Sequence, residues 1–456
     1  IDFLRERKQR VVLNGLFSSW THIRAGVPQG SILGPLFFLI YINDLPNGLQ
    51  SNPKLFADDT SLFSIVNDIT LSSAELNQDL AKVSAWANQW KMSFNPDPSK
   101  QAKKVIFSHK INKPLHPNLI FNDVPVDEVS SQKHLGMILD DKLNFNEHFK
   151  SIISKVSRSI ALLRKLRIFL PRSSLITIYK SFIRPHLDYG DILYDQAFNN
   201  SFHAKLESIQ YKASNAILGT INGSNREKVY QELGLESLQS RRWMRKLFMF
   251  YKISKDLVPI YLSDLLPKVE KSYTLRNSND IPLVKVKHNF FKNSFLPSSI
   301  IEWNKLNIDI RNSINLNIFK EKIIKFVRPE SNSIFGIHNS QGIKYLSRLR
   351  VGLSHLREHK FKHGFLDTIN PLCSCGQGVE STKHFFLHCT FFINSRAILL
   401  QRISIIDNSI LNENDDSIIE TLLFGRKKFE FLTNKSIIES VVDYILSTER
   451  FDGALL

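Results

Sequence analysis

Two adjacent carboxylates, Asp58 and Asp59, interrupt an apolar run that begins Leu55-Phe56-Ala57 and resumes at Leu62-Phe63. Such a run reads as a β-hairpin whose tight turn carries both acids. Neighbouring acids repel each other and need a counter-charge beside buried strands. A divalent cation such as Mg²⁺ supplies one, because it takes hard oxygen ligands from carboxylates together with phosphates. The dipeptide alone is equally an acidic surface turn. A second group of reactive types lies near the other end, where Cys373, Cys375, His384 and Cys389 follow a C-x-C-x8-H-x4-C spacing. Thiolates and an imidazole suit tetrahedral Zn²⁺, and four protein ligands describe a closed, structural site. His388 competes with His384 as the nitrogen ligand, and His384 is preferred. Without metal, the thiols would pack as small hydrophobes.

The elements that must position these groups are bounded by composition. The chain has 456 residues, room for two or three domains. Its net charge of +17 and pI near 9.6 call for a polyanionic partner, either nucleic acid or an anionic membrane surface. A membrane-surface protein accounts for the charge but for neither motif group. All three cysteines fall within residues 373–389, too few and too local for a disulfide framework, which points to a reducing, intracellular setting. No apolar run spans a membrane, and no secretory signal opens the chain.

Residues 1–24 read as a helix end followed by a strand pair around Asn14-Gly15. A loop, Gly26-Val27-Pro28-Gln29-Gly30-Ser31-Ile32-Leu33-Gly34-Pro35, precedes an apolar run that suits a buried helix. After the acidic hairpin, residues 72–92 have helical periodicity that Pro96 ends. A loop with Lys100, Lys103 and Lys104 leads to a strand over 105–108, and short strands and turns fill 114–140. Residues 146–169 form a helix with Ile152, Val156, Ile160 and Leu163 on its apolar face. Lys150, Lys155, Arg158, Arg164, Lys165 and Arg167 give it positive charge of one sign, suited to phosphate-backbone contact. Pro171 and Pro185 bracket a further helix, and 202–218 and 235–255 read as amphipathic helices, the last carrying Arg241, Arg242, Arg245 and Lys246. Residues 256–335 read as a loosely organised connector with short helices near 299–306 and 316–327. Basic residues between 348 and 363 precede the cysteines, and helices close the chain.

Taken together, the Gly-Val-Pro-Gln-Gly loop, the Ala-Asp-Asp hairpin some thirty residues later, and the helix, Lys-rich loop and strand that follow closely resemble the palm of a reverse transcriptase from Jockey-like non-LTR retrotransposons. Arg7-Lys8-Gln9-Arg10-Val11 resembles the palm's entry, and His134-Leu135-Gly136 its primer grip. The resemblance implies an α+β fold: a partial palm, an antiparallel sheet backed by helices, over 1–143, then a mostly α-helical thumb and post-thumb region over 144–255. The connector then covers 256–340, a basic segment with the zinc-knuckle-like module 341–400, and C-terminal helices 401–456. It further implies an RNA-directed DNA polymerase with Mg²⁺ or Mn²⁺ at Asp58 and Asp59, Asp58 the more committed ligand. Pro28, Gln29, Gly30, Phe56 and Ala57 would shape the nucleotide and template site, and Lys100 would lie near the incoming triphosphate. Implied partners are an RNA template, a DNA primer or target and deoxynucleoside triphosphates, with the nucleus as the place of integration. The zinc module, in many such elements, would grip RNA or target DNA.

One departure matters. The family carries another metal-binding carboxylate on a strand upstream of the Arg-Lys-Gln entry, and this sequence starts too close to that entry to hold it. The expectation is therefore a polymerase by descent that does not extend a primer by itself. The alternative is an inert nucleic-acid-binding relic.

Overall fold

The computed structural model describes residues 5–24, 26–28, 30–95, 101–195, 200–220, 223, 225–267, 280–327, 340–426 and 428–452. They divide into two compact units, Ile1–Leu143 and Asn144–Leu456. The helix end expected at residues 1–4 lies outside the described residues.

In the first unit, β1 (Lys8–Gln9) pairs antiparallel with β4 (Thr21–His22), and β2 (Val12–Leu13) with β3 (Leu16–Phe17). Asn14 and Gly15 turn β2 into β3 with φ +49 and +81, the paired left-handed conformation of a two-residue hairpin loop. Then come α1 (Leu33–Ile42), β5 (Asn52–Phe56), β6 (Asp59–Phe63), α2 (Ile69–Gln89), β7 (Lys103–Lys104), β8 (Ile120–Phe121), β9 (Val124–Pro125), β10 (Asp127–Glu128), β11 (Ser131–His134) and β12 (Met137–Asp140). Among the described residues these strands make six two-stranded pieces, which corrects the expectation of one antiparallel sheet. Most of them are two residues long and end in a turn before a second neighbour is recruited. One piece, β7 with β10, is parallel, and its register sets Lys103 beside Asp127 and Lys104 beside Glu128. The expected strand over 105–108 is absent, since only Lys103 and Lys104 are strand.

α2 holds this unit together. Asp68 caps it by accepting from Leu71 N–H at 2.8 Å. It ends near Trp90, before Pro96, because Lys91 turns left-handed at φ +55. Ile42, Leu45 and Val83 form a small core against which Phe38, Leu49, Leu55, Leu62, Trp86 and Phe121 pack. Polar ties fix the chain between α1 and β5 on α2: Trp86 Nε1 donates to Asp44 at 3.0 Å and Lys82 Nζ to the Gly48 carbonyl at 2.6 Å. Asp79 is fully buried, and its carboxylate accepts from the backbone N–H of Gln50 at 2.9 Å and of Ser51 at 2.7 Å. The strand that leads to the acidic turn therefore starts from a fixed point.

The second unit is helical: α3 (Asn146–Leu166), α4 (Arg172–Ile178), α5 (Arg184–Asp188), α6 (Asp191–Tyr194), α7 (Asn200–Leu218), α8 (Arg226–Leu233), α9 (Leu238–Ser254), α10 (Ile260–Ser263), α11 (Asn289–Lys292), α12 (Phe295–Asn304), α13 (Ile308–Arg311), α14 (Leu316–Val327), α15 (Ser340–Arg350), α16 (Arg357–Lys362), α17 (Ile393–Asp407), α18 (Asp415–Phe424) and α19 (Phe431–Ser447). No helix among the described residues is long and apolar enough to cross a membrane. A π-helical turn, Tyr179–Ile183, joins α4 to α5, so Pro185 sits in the first turn of α5 instead of ending a helix. The described part of the connector is better built than its composition suggests. Ile300, Trp303, Leu306, Phe319 and Ile323 share one core with Met244, Leu247, Phe250 and Tyr251 of α9. A separate core joins α15 to α17, α18 and α19.

Candidate active site and Cys/His cluster

Ala57 and Asp58 form the two-residue turn between β5 and β6, and Phe56 pairs with Asp59 across it. Ala57 has φ +50, a left-handed value that suits a hairpin turn but costs a residue with a Cβ roughly 1 kcal/mol. Strand alternation sends Leu55 and Leu62 to the core with α1 and α2. Phe56, Asp59 and Ser61 therefore share the opposite, open face. Both carboxylates are exposed, Asp58 at the tip and Asp59 on that face. Phe56 is 65% exposed, so it flanks the acids and does not pack beneath them. The β11–β12 hairpin, which turns at Leu135 and Gly136 (φ +44 and +83), comes to the same face: His134 Nδ1 lies 3.5 Å from Ser61 Oγ. Ser61 belongs to no motif; its alternation with Asp59 is the signal that marks it.

The glycine loop leads into α1. Ser31 Oγ accepts from Gly34 N–H at 3.1 Å and closes the loop onto the helix start. A Cβ on Gly34 would lie 3.2 Å from that oxygen and 3.3 Å from Val27 Cγ2, so a side chain there would crowd the turn. Val27, Pro28, Gly30, Ser31, Gly34 and Pro35 line an open recess. α1 carries the loop, and its Phe38 and Ile42 pack in the same core as Leu55 and Leu62 of the acidic hairpin. Gln29 and Lys100 lie outside the described residues. Lys103 and Lys104, further along the same stretch, are paired at 2.9 Å with Asp127 and 3.3 Å with Glu128.

On α3 the buried side is Phe149, Ile152, Val156, Ile160 and Leu163. Lys150, Lys155, Arg158, Arg164 and Lys165 are exposed around the other side. Arg167, four residues after Leu163, falls in line with the buried side and is half-buried. The basic residues of α9 behave differently. Arg241 pairs with Asp188 at 2.5 Å, Arg245 with Asp191 at 3.1 Å, and Arg242 and Lys246 with Asp195 at 3.1 and 2.9 Å. They neutralise acids inside the helical unit.

Cys373, Cys375, His384 and Cys389 present ligand atoms that all lie within 4.8 Å of one another. Cys373 and Cys389 Sγ are 3.8 Å apart, and Cys375 Sγ is 3.1 Å from His384 Nε2. Zn–S bonds of about 2.3 Å in a tetrahedron put sulfurs roughly 3.8 Å apart, so the donor set and its spacing fit Zn²⁺. A tight loop makes this possible: Cys373 N–H donates to the Gly378 carbonyl at 2.7 Å, and Gly376 and Gly378 take φ +78 and +134. Burial pushes the Cys373 thiol up to about 12. Burial also raises Cys375, yet hydrogen bonds from Gln377 N–H and from its cluster neighbours outweigh it and pull that thiol down to about 6. His388 points away and lies 2.8 Å from Asp415, which leaves His384 as the nitrogen donor. The cluster is built into the helical core, with Phe385 and Phe386 wholly buried and Tyr444 donating to the Phe385 carbonyl at 2.6 Å.

The basic preface expected to face RNA is a correction. Arg348, Arg350, His355 and His359 are buried. Arg350 pairs with Glu232 of α8 at 3.1 Å, and Arg172 reaches the same carboxylate at 2.9 Å. Lys360 and Lys362 are engaged with Asp367 and Glu358 at 2.5 and 2.7 Å.

Comparison with known proteins finds a reverse-transcriptase match in the first unit. The model of the reverse transcriptase (RNA-dependent DNA polymerase) family matches residues 3–139. Similar curated proteins include the probable RNA-directed DNA polymerase from transposon X-element of Drosophila melanogaster, 30% identical over 230 residues. The RNA-directed DNA polymerase from mobile element jockey of the same species is 29% identical over 231 residues. Residues 3–139 match the reverse transcriptase family, and the similar relatives are RNA-directed DNA polymerases of mobile elements. Each of those two matches covers 48% of this chain and 24% of the relative, so the shared stretch is about a quarter of each relative's length. A longer match, 20% identical over 385 residues and covering 82% of this chain and 35% of the relative, is to the retrovirus-related Pol polyprotein from type-1 retrotransposable element R1 of Bradysia coprophila.

Reverse transcriptases use divalent metals, and the region that matches their family exposes the carboxylates of Asp58 and Asp59. Among the described residues these two acids belong to no group of three or more convergent ligands. The domain match ends at residue 139, within β12, before the chain passes into the helical unit at Asn144.

Proposed function

We propose that this chain contributes the acidic metal-binding hairpin of an RNA-directed DNA polymerase, which adds deoxynucleotides to a primer 3′-hydroxyl on an RNA template. The observation that carries the proposal is the hairpin turn itself. It presents Asp58 at its tip and Asp59 on an open face shared with Phe56 and Ser61, beside His134. A divalent cation bound there would activate the primer hydroxyl and stabilise the departing pyrophosphate. Asp58 is the principal ligand and Asp59 the second. Phe56 flanks the nucleotide, and the loop through Pro28, Gln29 and Gly30 shapes its pocket, with Lys100 near the triphosphate. The exposed cations of α3 track the sugar–phosphate backbone. Cys373, Cys375, His384 and Cys389 hold a structural zinc ion that fastens the loop before α17.

Among the described residues no third carboxylate converges on Asp58 and Asp59, and on that ground residues 1–456 alone are expected not to extend a primer. The second reading, an inert nucleic-acid-binding relic, draws on the same pair of acids having no third partner among the described residues. Primer extension separates the two. A longer protein that joins this chain to an upstream reverse-transcriptase segment should incorporate nucleotides, and Asp58→Asn should lower incorporation by about 10²–10³-fold, the equivalent of roughly 3–4 kcal/mol. No incorporation by the unsubstituted longer protein would favour the relic, and wild-type incorporation by the Asp58→Asn protein would remove Asp58 from the metal site.

A further inference from the structure

Three cations meet at one turn of the helical unit. α7 ends at Leu218, and Gly219 follows with φ +69, the left-handed conformation that closes many helices. A Cβ placed on Gly219 would lie 3.3 Å from Lys344 Cε, 3.4 Å from Arg167 Nη1 and 3.6 Å from Arg348 Nη2. Because glycine has no side chain, three positive groups from α15 and the end of α3 converge on one small space. Arg348 is 2% exposed and pinned, donating to the Gly219 carbonyl from Nε at 3.0 Å and from Nη2 at 2.5 Å, with Nη1 3.0 Å from His355 Nε2. Arg167 is half-buried, and Lys344 stands at the open side.

What distinguishes this turn is the missing counter-charge. Elsewhere in the same unit converging cations come with acids, as Arg241 does with Asp188 and Arg350 with Glu232. Among the described residues no carboxylate pairs with Arg167, Lys344 or Arg348. Burial, then Arg348 and Arg167, hold the Lys344 ammonium below its usual range, and burial with Arg167 brings Arg348 down to about 10. His355 gives no relief: burial, then the Arg348 charge, pushes it down to about 4, so its neutral ring accepts from Arg348. Like charges held together in a partly dry site are unfavourable until an anion joins them.

We propose that the Gly219 turn is a phosphate seat, where Arg167 and Lys344 grip one phosphodiester of a bound polynucleotide over the fixed charge of Arg348. Arg167 caps the end of α3 within one turn of the exposed Arg164 and Lys165, so the seat lies beside the last cations of that helix. Guanidinium and ammonium groups both bind phosphate oxygens, the first through its planar fork and the second as a point charge. The source of the phosphate rests on the reading of α3 as a nucleic-acid face; the seat itself rests on the three cations.

The test uses the whole chain and an RNA–DNA hybrid of about 20 base pairs, with affinity measured by fluorescence anisotropy from roughly 50 to 300 mM KCl. Losing one phosphate contact lowers the log–log salt slope by about 0.9, so Arg167→Gln with Lys344→Gln should flatten it by about 1 and weaken binding severalfold at low salt. Lys305→Gln, a control at an exposed lysine paired with Glu302, should leave the slope unchanged. A wild-type slope in the double variant overturns the proposal. Should the double variant melt early, Lys344→Gln alone, at the open side, should still flatten the slope, and a wild-type slope there overturns the proposal equally. A second arm adds inorganic phosphate to a thermal melt. If phosphate stabilises the wild type but not the double variant while hybrid binding is unaltered, the seat takes free phosphate and the polynucleotide assignment fails. These outcomes are independent of Asp58→Asn, which tests the polymerase reading and leaves hybrid binding to α3 intact.

Discussion

Asp79 offers a direct test of how the acidic turn is held. Its carboxylate is wholly buried and takes three contacts from two backbone N–H groups: Gln50 at 3.0 and 2.9 Å and Ser51 at 2.7 Å. In Asp79→Asn a carboxamide oxygen in the Oδ2 position can keep Ser51 and Gln50, but the NH₂ group then takes the Oδ1 position 3.0 Å from the Gln50 N–H, donor against donor. Replacing that acceptor by a repelling donor costs about 1–3 kcal/mol, and the bonds that remain lose their charge assistance, worth roughly 1 kcal/mol more. The expected loss is therefore about 2–4 kcal/mol, confined to the start of β5. Hydrogen exchange read by mass spectrometry on the whole chain is the suitable assay. Peptides covering 50–63 should exchange about 30- to 1000-fold faster, the rate equivalent of that loss, while peptides from α9 stay unchanged. The same carboxylate predicts a pH effect. Burial would raise Asp79, but the Ser51 and Gln50 N–H groups and Lys82 outweigh it and hold it below 3.8. A depressed carboxylate gives stability that is present above the unfolded value and lost as pH falls through the folded one. Protection of 50–63 should accordingly drop below about pH 4 in the wild type and be flat there in Asp79→Asn. Unchanged exchange in the variant would refute the idea that α2 anchors the hairpin through this contact.

Three further outcomes follow from the helical unit. Glu232→Ala leaves Arg350 buried without its partner at 3.1 Å, and should cost about 3–5 kcal/mol in denaturant unfolding; a loss below 1 kcal/mol would contradict the pairing. The purified chain should carry one equivalent of zinc by elemental analysis, lost in Cys375→Ser and His384→Ala but kept in His388→Ala, whose ring is engaged with Asp415. Gly342→Ala should destabilise the contact of α15 with α19 by about 1–3 kcal/mol, since a new Cβ would collide with Val442 Cγ1, and unaltered stability would show that this packing is wrong.

Local signals made much of the site legible. Asn14-Gly15 marks its own hairpin, the acidic hairpin follows from apolar flanks of strand length although its turn is Ala57-Asp58 and Asp59 already belongs to β6, and the Cys/His spacing places four donors before any tertiary contact is known. The apolar stripe of α3 is likewise visible in Phe149, Ile152, Val156 and Ile160. Charge was the misleading signal. A run of arginines does not reveal whether an acid far away in the chain will meet it, and Glu232 lies 118 residues from Arg350. The same blindness hid the core under the connector, because Trp303, Phe319 and Ile323 show no periodicity with the α9 residues they join. Nor could spacing show that His388 turns to Asp415. Conversely, the separate two-stranded pieces of the first unit depend on which strands find a neighbour, a long-range matter that alternation along one strand does not encode.

The central claim is that Asp58 and Asp59 form a metal site on the open face of their hairpin. Its most direct measurement substitutes Fe²⁺ for Mg²⁺ on these hard oxygen ligands and generates hydroxyl radicals with peroxide and ascorbate, so that backbone cuts report where the ion sits. The account predicts cuts near residues 56–60 and at the facing Leu135-Gly136 turn, suppressed by excess Mg²⁺ and absent in Asp58→Asn. Cuts elsewhere, or cuts at the hairpin that Mg²⁺ and Asp58→Asn leave unchanged, would contradict it.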